Sequence, residues 1–203
     1  MLLIGRDRSP FVRRTATMME LLGLTYERRP IATTDVAELT KVNPLGRVPA
    51  LVLSDGETLI DSAAIIDYIL EIGDRDHRLL AASGKPRRDA LRASAFATGV
   101  MEKGVAAAYE MRQRPSDSVH HPWLQHLKGQ IHAGVAELEA AMRDRQWLLG
   151  TKPGVGDVNI VVAYDFIARA HPEIAAKGWP VLGDLSKRAN ALSAFKRTQW
   201  SDP

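Results

Sequence analysis

Two short stretches carry residue types suited to gripping a small zwitterionic ligand: Asn43-Pro44-Leu45-Gly46-Arg47-Val48-Pro49-Ala50-Leu51, and Asp61-Ser62. In the first, Val48-Pro49 precedes the apolar run Ala50 to Leu53, where a proline can only begin a strand or sit at an edge. An X-Pro bond at that point is a candidate cis peptide, which would turn the Val48 N–H and C=O outward toward an extended ligand. In the second, a carboxylate and a hydroxyl open the apolar-periodic segment Ala63 to Ile72. A helix start offers unbonded N–H groups and a positive dipole end to a carboxylate, while Asp61 supplies an acceptor for an amine. An α-amino acid carries both groups.

The bulk composition narrows the field. A chain of 203 residues makes one large domain or two small ones with adequate cores. Its 45% hydrophobic and 25% charged content is ordinary for a globular protein. A net charge of +3, scattered along the chain, argues against a nucleic-acid partner. There is no cysteine, which removes disulfides, thiolate metal sites and a cysteine nucleophile together. Met1 to Gly5 is too short and too soon followed by charge for a signal peptide, and no apolar run spans a bilayer, so the expected location is cytoplasmic with no membrane partner.

The elements that must position these residues follow from patterning. Met1 to Gly5 reads as a buried strand. Ser9-Pro10 gives an N-cap and a first-turn proline, and Phe11, Val12, Ala16, Met19 and Leu22 recur at helical spacing up to Gly23. Tyr26 to Ile31 is a second strand, and so short a strand-helix-strand unit implies a parallel pair with a right-handed crossover. Ala32 to Val42 is polar and weakly helical. Leu51 to Ser54 and Glu57 to Ile60 flank Asp55-Gly56, a strong hairpin dipeptide, and Ile65, Ile66, Ile69 and Leu70 form the buried stripe of a helix. Residues 1–75 thus read as a thioredoxin-like βαβ-then-ββα domain. Residues 76–85, rich in breakers and charge, read as a linker. Residues 86–203 read as all-α: Arg87 to Arg112, Trp123 to about Asp144, a strongly apolar and therefore central Val158 to Ala170, and a last helix over Pro180 to Phe195.

In order and spacing, Ser9-Pro10-Phe11-Val12-Arg13, Asn43 to Pro49 and Asp61-Ser62, in an α/β half followed by an all-α half, resemble the glutathione S-transferases, specifically bacterial members with serine at the active position. The resemblance covers the whole chain. It implies that Ser9 donates a hydrogen bond to the glutathione thiolate, the true nucleophile, and does not attack anything itself. It implies that Val48, next to Pro49, pairs with the cysteinyl backbone, that Arg47 meets the glycine carboxylate, and that Asp61 and Ser62 hold the γ-glutamyl end. Two positions depart from the family pattern: Asp61 is shorter than the usual Glu or Gln, and Arg47 stands where lysine is common. Phe11, Tyr109 and Arg112 are the implied electrophile-pocket residues. A homodimer, glutathione as co-substrate, a small electrophile and no metal complete the expectation.

Other features read more plainly. Arg13 and Arg14 are expected on a solvated or interdomain face. His120, His121, His126 and His132 lack a carboxylate at ligand spacing and are expected to be solvated or partly buried. Asp157 keeps the family's helix-capping position while Gly154 lacks the matching side-chain oxygen, a loss of a few tenths of a kcal/mol relative to serine. The expected activity is conjugation of glutathione to an electrophile. A glutathione-dependent isomerase or dehalogenase would share the same residues, and a non-catalytic interaction module is the alternative of another class. A thiol-disulfide reductase is disfavoured, because Ser9 stands where a reactive cysteine would be needed.

Overall fold

A computed structural model describes residues 1–200. Four three-residue strands, β1 (Leu2–Ile4), β2 (Glu27–Arg29), β3 (Ala50–Val52) and β4 (Thr58–Ile60), form one sheet in the order β2-β1-β3-β4. β1 and β2 run parallel, joined through helix α1 (Pro10–Leu21), as so short a crossover requires. β3 lies antiparallel to β1, and β4 returns antiparallel to β3 through the Asp55-Gly56 turn, where Gly56 adopts φ 92°. The weakly helical segment contains a single short helix, α2 (Val36–Thr40), and α3 (Ser62–Gly73) follows β4 directly. α1 and α3 pack on each other and on the sheet. On the sheet, Ile4 and Ala50 pack with Ile31 and with Leu39 of α2, flanked by the partly buried Val42 and Val48.

The chain divides into two compact units, Met1–Leu80 together with the residues from Asn190 onward, and Ala81–Ala189. The assignment of the C-terminal segment follows from what α1 needs. Thr17 and Thr198 share a hydrogen bond of 2.7 Å between their hydroxyls, Arg13 donates to the Asn190 side-chain oxygen at 2.8 Å, and Arg197 reaches Glu20 at 3.1 Å. A single helix over Pro180 to Phe195 is not formed. α8 (Pro180–Asn190) ends, Leu192 is extended at φ −78°, ψ 144°, and α9 (Ser193–Lys196) restarts to pack on α1. The expected linker is also more ordered than its composition suggests. The buried Asp74 carboxylate accepts the N–H groups of Arg78, Leu79 and Leu80 at 2.8, 2.9 and 3.0 Å, and α4 (Gly84–Gln113) has already begun at Gly84.

The second unit is helical. α4 presents Ala90, Ala93, Ala97, Val100, Gly104 and Ala107 as a stripe of small buried residues, which lets α5 (His121–Met142) and α6 (Val155–Ala170) approach closely. At Gly104 a Cβ would stand 2.7 Å from Ile167 Cδ1 and 2.8 Å from Phe166 Cε1, so a larger residue would force those side chains to shift. α6 is buried on nearly every side from Val155 to Val162, as its apolar sequence requires. Asp157 caps it by accepting the Gly154 N–H at 3.0 Å, and its second oxygen accepts the Leu148 N–H at 2.8 Å. Burial nevertheless holds its carboxyl above the ordinary range. α7 (Pro172–Ala175) follows His171, a fully buried ring bonded through Nε2 to the Gly104 carbonyl at 2.8 Å. Among the described residues no helix is long and apolar enough to cross a membrane, and no cluster of three or more metal-ligating side chains exists.

Candidate functional site

The register of the sheet decides where the chemistry-bearing loops lie. Ile4 of β1 pairs with Ala50 of β3, and Ala50 pairs with Ile60 of β4, so these residues form one row across three strands. The chain leaves β1 just beyond Ile4 and continues to Ser9. It enters β3 just before Ala50, through Val48-Pro49, and leaves β4 just beyond Ile60, into Asp61-Ser62. All three segments therefore emerge at the same end of the sheet. Two inter-strand spacings separate the first from the last, about 10 Å.

The first segment is a capped helix start. Ser9 is extended at φ −75°, ψ 121°, and its hydroxyl oxygen accepts the Val12 N–H at 3.4 Å. Pro10 at the first helical position has no N–H to satisfy. The serine is half-buried, and in accepting from Val12 it keeps its own O–H proton for another acceptor. Behind it, Gly5 at φ 127° fills a gap no side chain could enter: a Cβ there would lie 2.5 Å from Val12 Cγ2 and 2.9 Å from Val48 Cβ. The glycine thus brings the start of α1 and the Val48 loop together. Asp7 in the same loop is paired with Arg28 of β2.

The second segment is built around Asn43, which the sequence reading passed over. Asn43 is buried, its Nδ2 donates to the Arg47 carbonyl at 2.8 Å, and its Oδ1 accepts the Leu45 N–H at 3.0 Å. Its carbonyl accepts the Gly46 N–H at 2.8 Å, with Gly46 at φ 62°. A side chain that bonds its own loop twice, beside a backbone turn bond, is the signal that an Asn before Pro-x-Gly carries. The loop delivers Arg47 exposed, Val48 half-buried and Pro49 buried, and the Val48–Pro49 bond is cis, as its position before the strand suggested.

The third segment is strained. Asp61 has φ 69° and ψ 125°, a conformation that costs a non-glycine residue about 1–3 kcal/mol and that concentrates at ligand sites. Its carboxylate caps α3 by accepting the Ala63 N–H at 2.7 Å and is otherwise exposed. Ser62 is buried at the first helical position, where its backbone N–H has no partner within the helix.

Arg13 and Arg14 are not solvated. They are 1% and 3% exposed, Arg13 bonded to Asn190 and stacked over Trp200 at 5.1 Å, Arg14 bonded to Ser62. Both lie on a helix whose other buried positions wrap around it, so no polar face remained for them. Phe11 is half-buried with the Arg14 guanidinium 5.5 Å above its ring. Tyr109 and Arg112 lie on α4 in the second unit, both exposed.

Known proteins are similar to this chain in sequence and fold. Residues 8–72 match the glutathione S-transferase N-terminal domain, and residues 122–195 match the C-terminal domain of the same family. The maleylacetoacetate isomerase of Pseudomonas aeruginosa is 30% identical over 94% of this chain and 91% of its own. An uncharacterised GST-like protein of Escherichia coli is 30% identical over 98% of both chains. The glutathione S-transferase of Methylobacterium radiotolerans, solved in complex with glutathione sulfonate, superposes with a TM-score of 0.91 at 26% identity, covering 100% of this chain and 96% of that one. With both domain models matched in order and a full-length relative at this identity, the chain belongs to the glutathione S-transferase family.

Proposed function

We propose that this protein binds glutathione across the row-end of its sheet, stabilises the thiolate, and joins the sulfur to an electrophilic small molecule. The observation that carries this reading is the Ile4–Ala50–Ile60 row, which brings the Ser9, Val48 and Asp61-Ser62 segments to one edge. Their span of about 10 Å lies within reach of a tripeptide of about 10–11 Å extended length that runs past Val48 and turns its thiol side chain toward Ser9. Solved relatives with glutathione or its sulfonate bound support the ligand. In this reading Val48 pairs with the cysteinyl backbone, Arg47 grips the glycine carboxylate, and Asp61 with Ser62 receives the γ-glutamyl amine and carboxylate. The Ser9 O–H proton, left over after the capping bond, is donated to the sulfur, lowering the thiol's pKa toward neutrality beside a positive helix end. The thiolate then forms a C–S bond to the electrophile, either expelling a leaving group with its bonding pair or, in an addition, shifting the displaced pair onto the acceptor, which takes a proton from solvent. Phe11, Tyr109 and Arg112 are the electrophile-side residues that the family pattern supports, and a homodimer is the expected assembly.

Titrating glutathione against wild type, Asp61→Ala and Ser62→Ala tests the binding claim. Loss of affinity in both variants is expected, and equal affinity in all three proteins sinks it. For Ser9, the pKa of the bound thiol, followed by ultraviolet absorbance, is expected to rise in Ser9→Ala.

A second reading is favoured by a specific observation: two of the relatives, 30% and 27% identical, are maleylacetoacetate isomerases. The same site would then add the glutathione sulfur to a double bond, allow rotation, and expel it unchanged. Glutathione consumption separates the two, since conjugation uses one per turnover and isomerisation uses none.

A further inference from the structure

Ser9 is held only lightly by its own helix. Its oxygen accepts the Val12 N–H at 3.4 Å, longer than the roughly 2.7–3.2 Å of an ordinary N–H···O bond. A contact that long does not fix where the hydroxyl sits. The loop before it supplies a firmer hold.

The β1–β2 ladder runs one bond past the strands, with the Gly5 N–H donating to the Arg29 carbonyl at 3.0 Å. The Ser9 N–H then donates to the Arg6 carbonyl at 3.0 Å and closes a tight turn whose central residues are Asp7 and Arg8. Arg8 is exposed, while the partly buried Asp7 turns to Arg28, which stands opposite Leu3 on β2. Arg28 Nη1 donates to one carboxylate oxygen at 2.9 Å, and Nη2 donates to the other. Two bonds from a planar guanidinium set orientation as well as distance. The pair therefore fastens the middle of the turn to the neighbouring strand, and it leaves no bare carboxylate two residues from Ser9. β2 is the edge strand farthest from β4, so Arg28 lies away from the Val48 and Asp61-Ser62 segments.

We infer that Arg28 is a positioning residue for the thiol chemistry: through Asp7 it fixes the turn Arg6–Ser9, and with it the place from which the Ser9 hydroxyl donates to sulfur. The inference rests on the glutathione reading and adds to it a residue that acts on the thiol and not on the grip of the peptide.

Two readouts separate positioning from a purely structural ion pair. One is the pKa of the bound glutathione thiol, followed by ultraviolet absorbance. The other is calorimetric affinity for S-methylglutathione, which has no thiol to ionise. In both Arg28→Met and Asp7→Asn the thiol pKa is expected to rise, so that well below the midpoint the thiolate fraction falls about three- to tenfold, up to the scale of one hydrogen bond to a charge. Affinity for S-methylglutathione should change less than about twofold, as for distant independent sites. Arg28→Lys keeps the charge without the two-pronged grip and should fall between wild type and Arg28→Met. Adding Arg28→Met to Ser9→Ala should raise the pKa no further than Ser9→Ala alone, because both act through one donor.

A rise in Arg28→Met without one in Asp7→Asn marks simple repulsion by a bare carboxylate and overturns the inference. Unchanged pKa in both variants, equal weakening toward S-methylglutathione, or additive effects in the double variant also overturn it, and each leaves the glutathione reading intact. Wild type that does not bind S-methylglutathione overturns both. Should melting show Arg28→Met to be unfolded, Asp7→Asn and Arg28→Lys carry the same comparison.

Discussion

Replacing Gly5 by alanine tests the most constrained point of the site. The glycine adopts φ 127°, a region L side chains seldom enter, and such strain costs about 1–3 kcal/mol. The added Cβ would meet Val12 Cγ2 at 2.5 Å and Val48 Cβ at 2.9 Å, both closer than atoms of that type approach. Neither neighbour can swing away easily. Val12 is fully buried, and the Val48 Cβ is fixed to its backbone. Forcing an extra carbon into a packed contact adds about 1–3 kcal/mol. The sum is about 2–6 kcal/mol, a large share of the ~5–15 kcal/mol that keeps an ordinary domain folded. For a chain of this size it corresponds to a fall in melting temperature of roughly 4–24 °C. Gly46→Ala is the control, because Gly46 also has positive φ (62°) but no atom within 4 Å of the added Cβ. It should cost only the backbone penalty, about 1–2 kcal/mol. Urea unfolding of the two variants side by side gives the comparison, and glutathione titration should show the larger affinity loss in Gly5→Ala. If Gly5→Ala is as stable as Gly46→Ala, α1 and the Val48 loop do not meet at Gly5, and the two segments are not held together there.

Asp61→Gly should separate stability from binding. It relieves about 1–3 kcal/mol of backbone strain against about 0.5–1 kcal/mol of glycine entropy and a few tenths for the lost cap, so the melting temperature should hold or rise while glutathione affinity falls. Asn43→Ala removes the two side-chain bonds that shape the Val48 loop and should cost about 1–3 kcal/mol in urea, with weaker glutathione binding; unchanged stability would show the loop to be shaped by Pro44 and Gly46 alone. Glu110 gives a pH prediction. The His120 N–H at 3.0 Å and Arg114 Nε at 2.9 Å hold its carboxyl below the ordinary range. A lowered folded-state pKa means stability that is present above the unfolded value, about 4.3, and lost as pH falls through the folded one. Melting curves taken from pH 6 down to pH 3 should therefore fall more steeply for wild type than for Glu110→Gln.

The sheet and most helices were legible because their signals are local. Ser9-Pro10 starts α1, Asp55-Gly56 turns β3 into β4, and the apolar run from Val158 makes α6 central. The cis Val48–Pro49 bond and the Asp61 cap were likewise visible in a few neighbouring residues. What escaped depends on partners distant in sequence. Arg13 and Arg14 read as surface charges because nothing near them announces Asn190 or Ser62. Asn43 looked like one member of a loop motif, while its work is to bond the residues two and four places on. The break between α8 and α9 carries no glycine or proline; it follows from the attachment of the C-terminal segment to α1, which only three dimensions reveal.

That attachment has a consequence for synthesis. The ribosome delivers the strands, α1 and α3 first, yet Thr17 waits for Thr198 and Arg13 for Asn190. All of Ala81–Ala189 is made in the interval. The helical unit, begun later, therefore has its complete set of residues sooner. The opening unit must persist through translation without the Asn190 and Thr198 partners of Arg13 and Thr17, and it becomes whole only when residues 190–198 emerge.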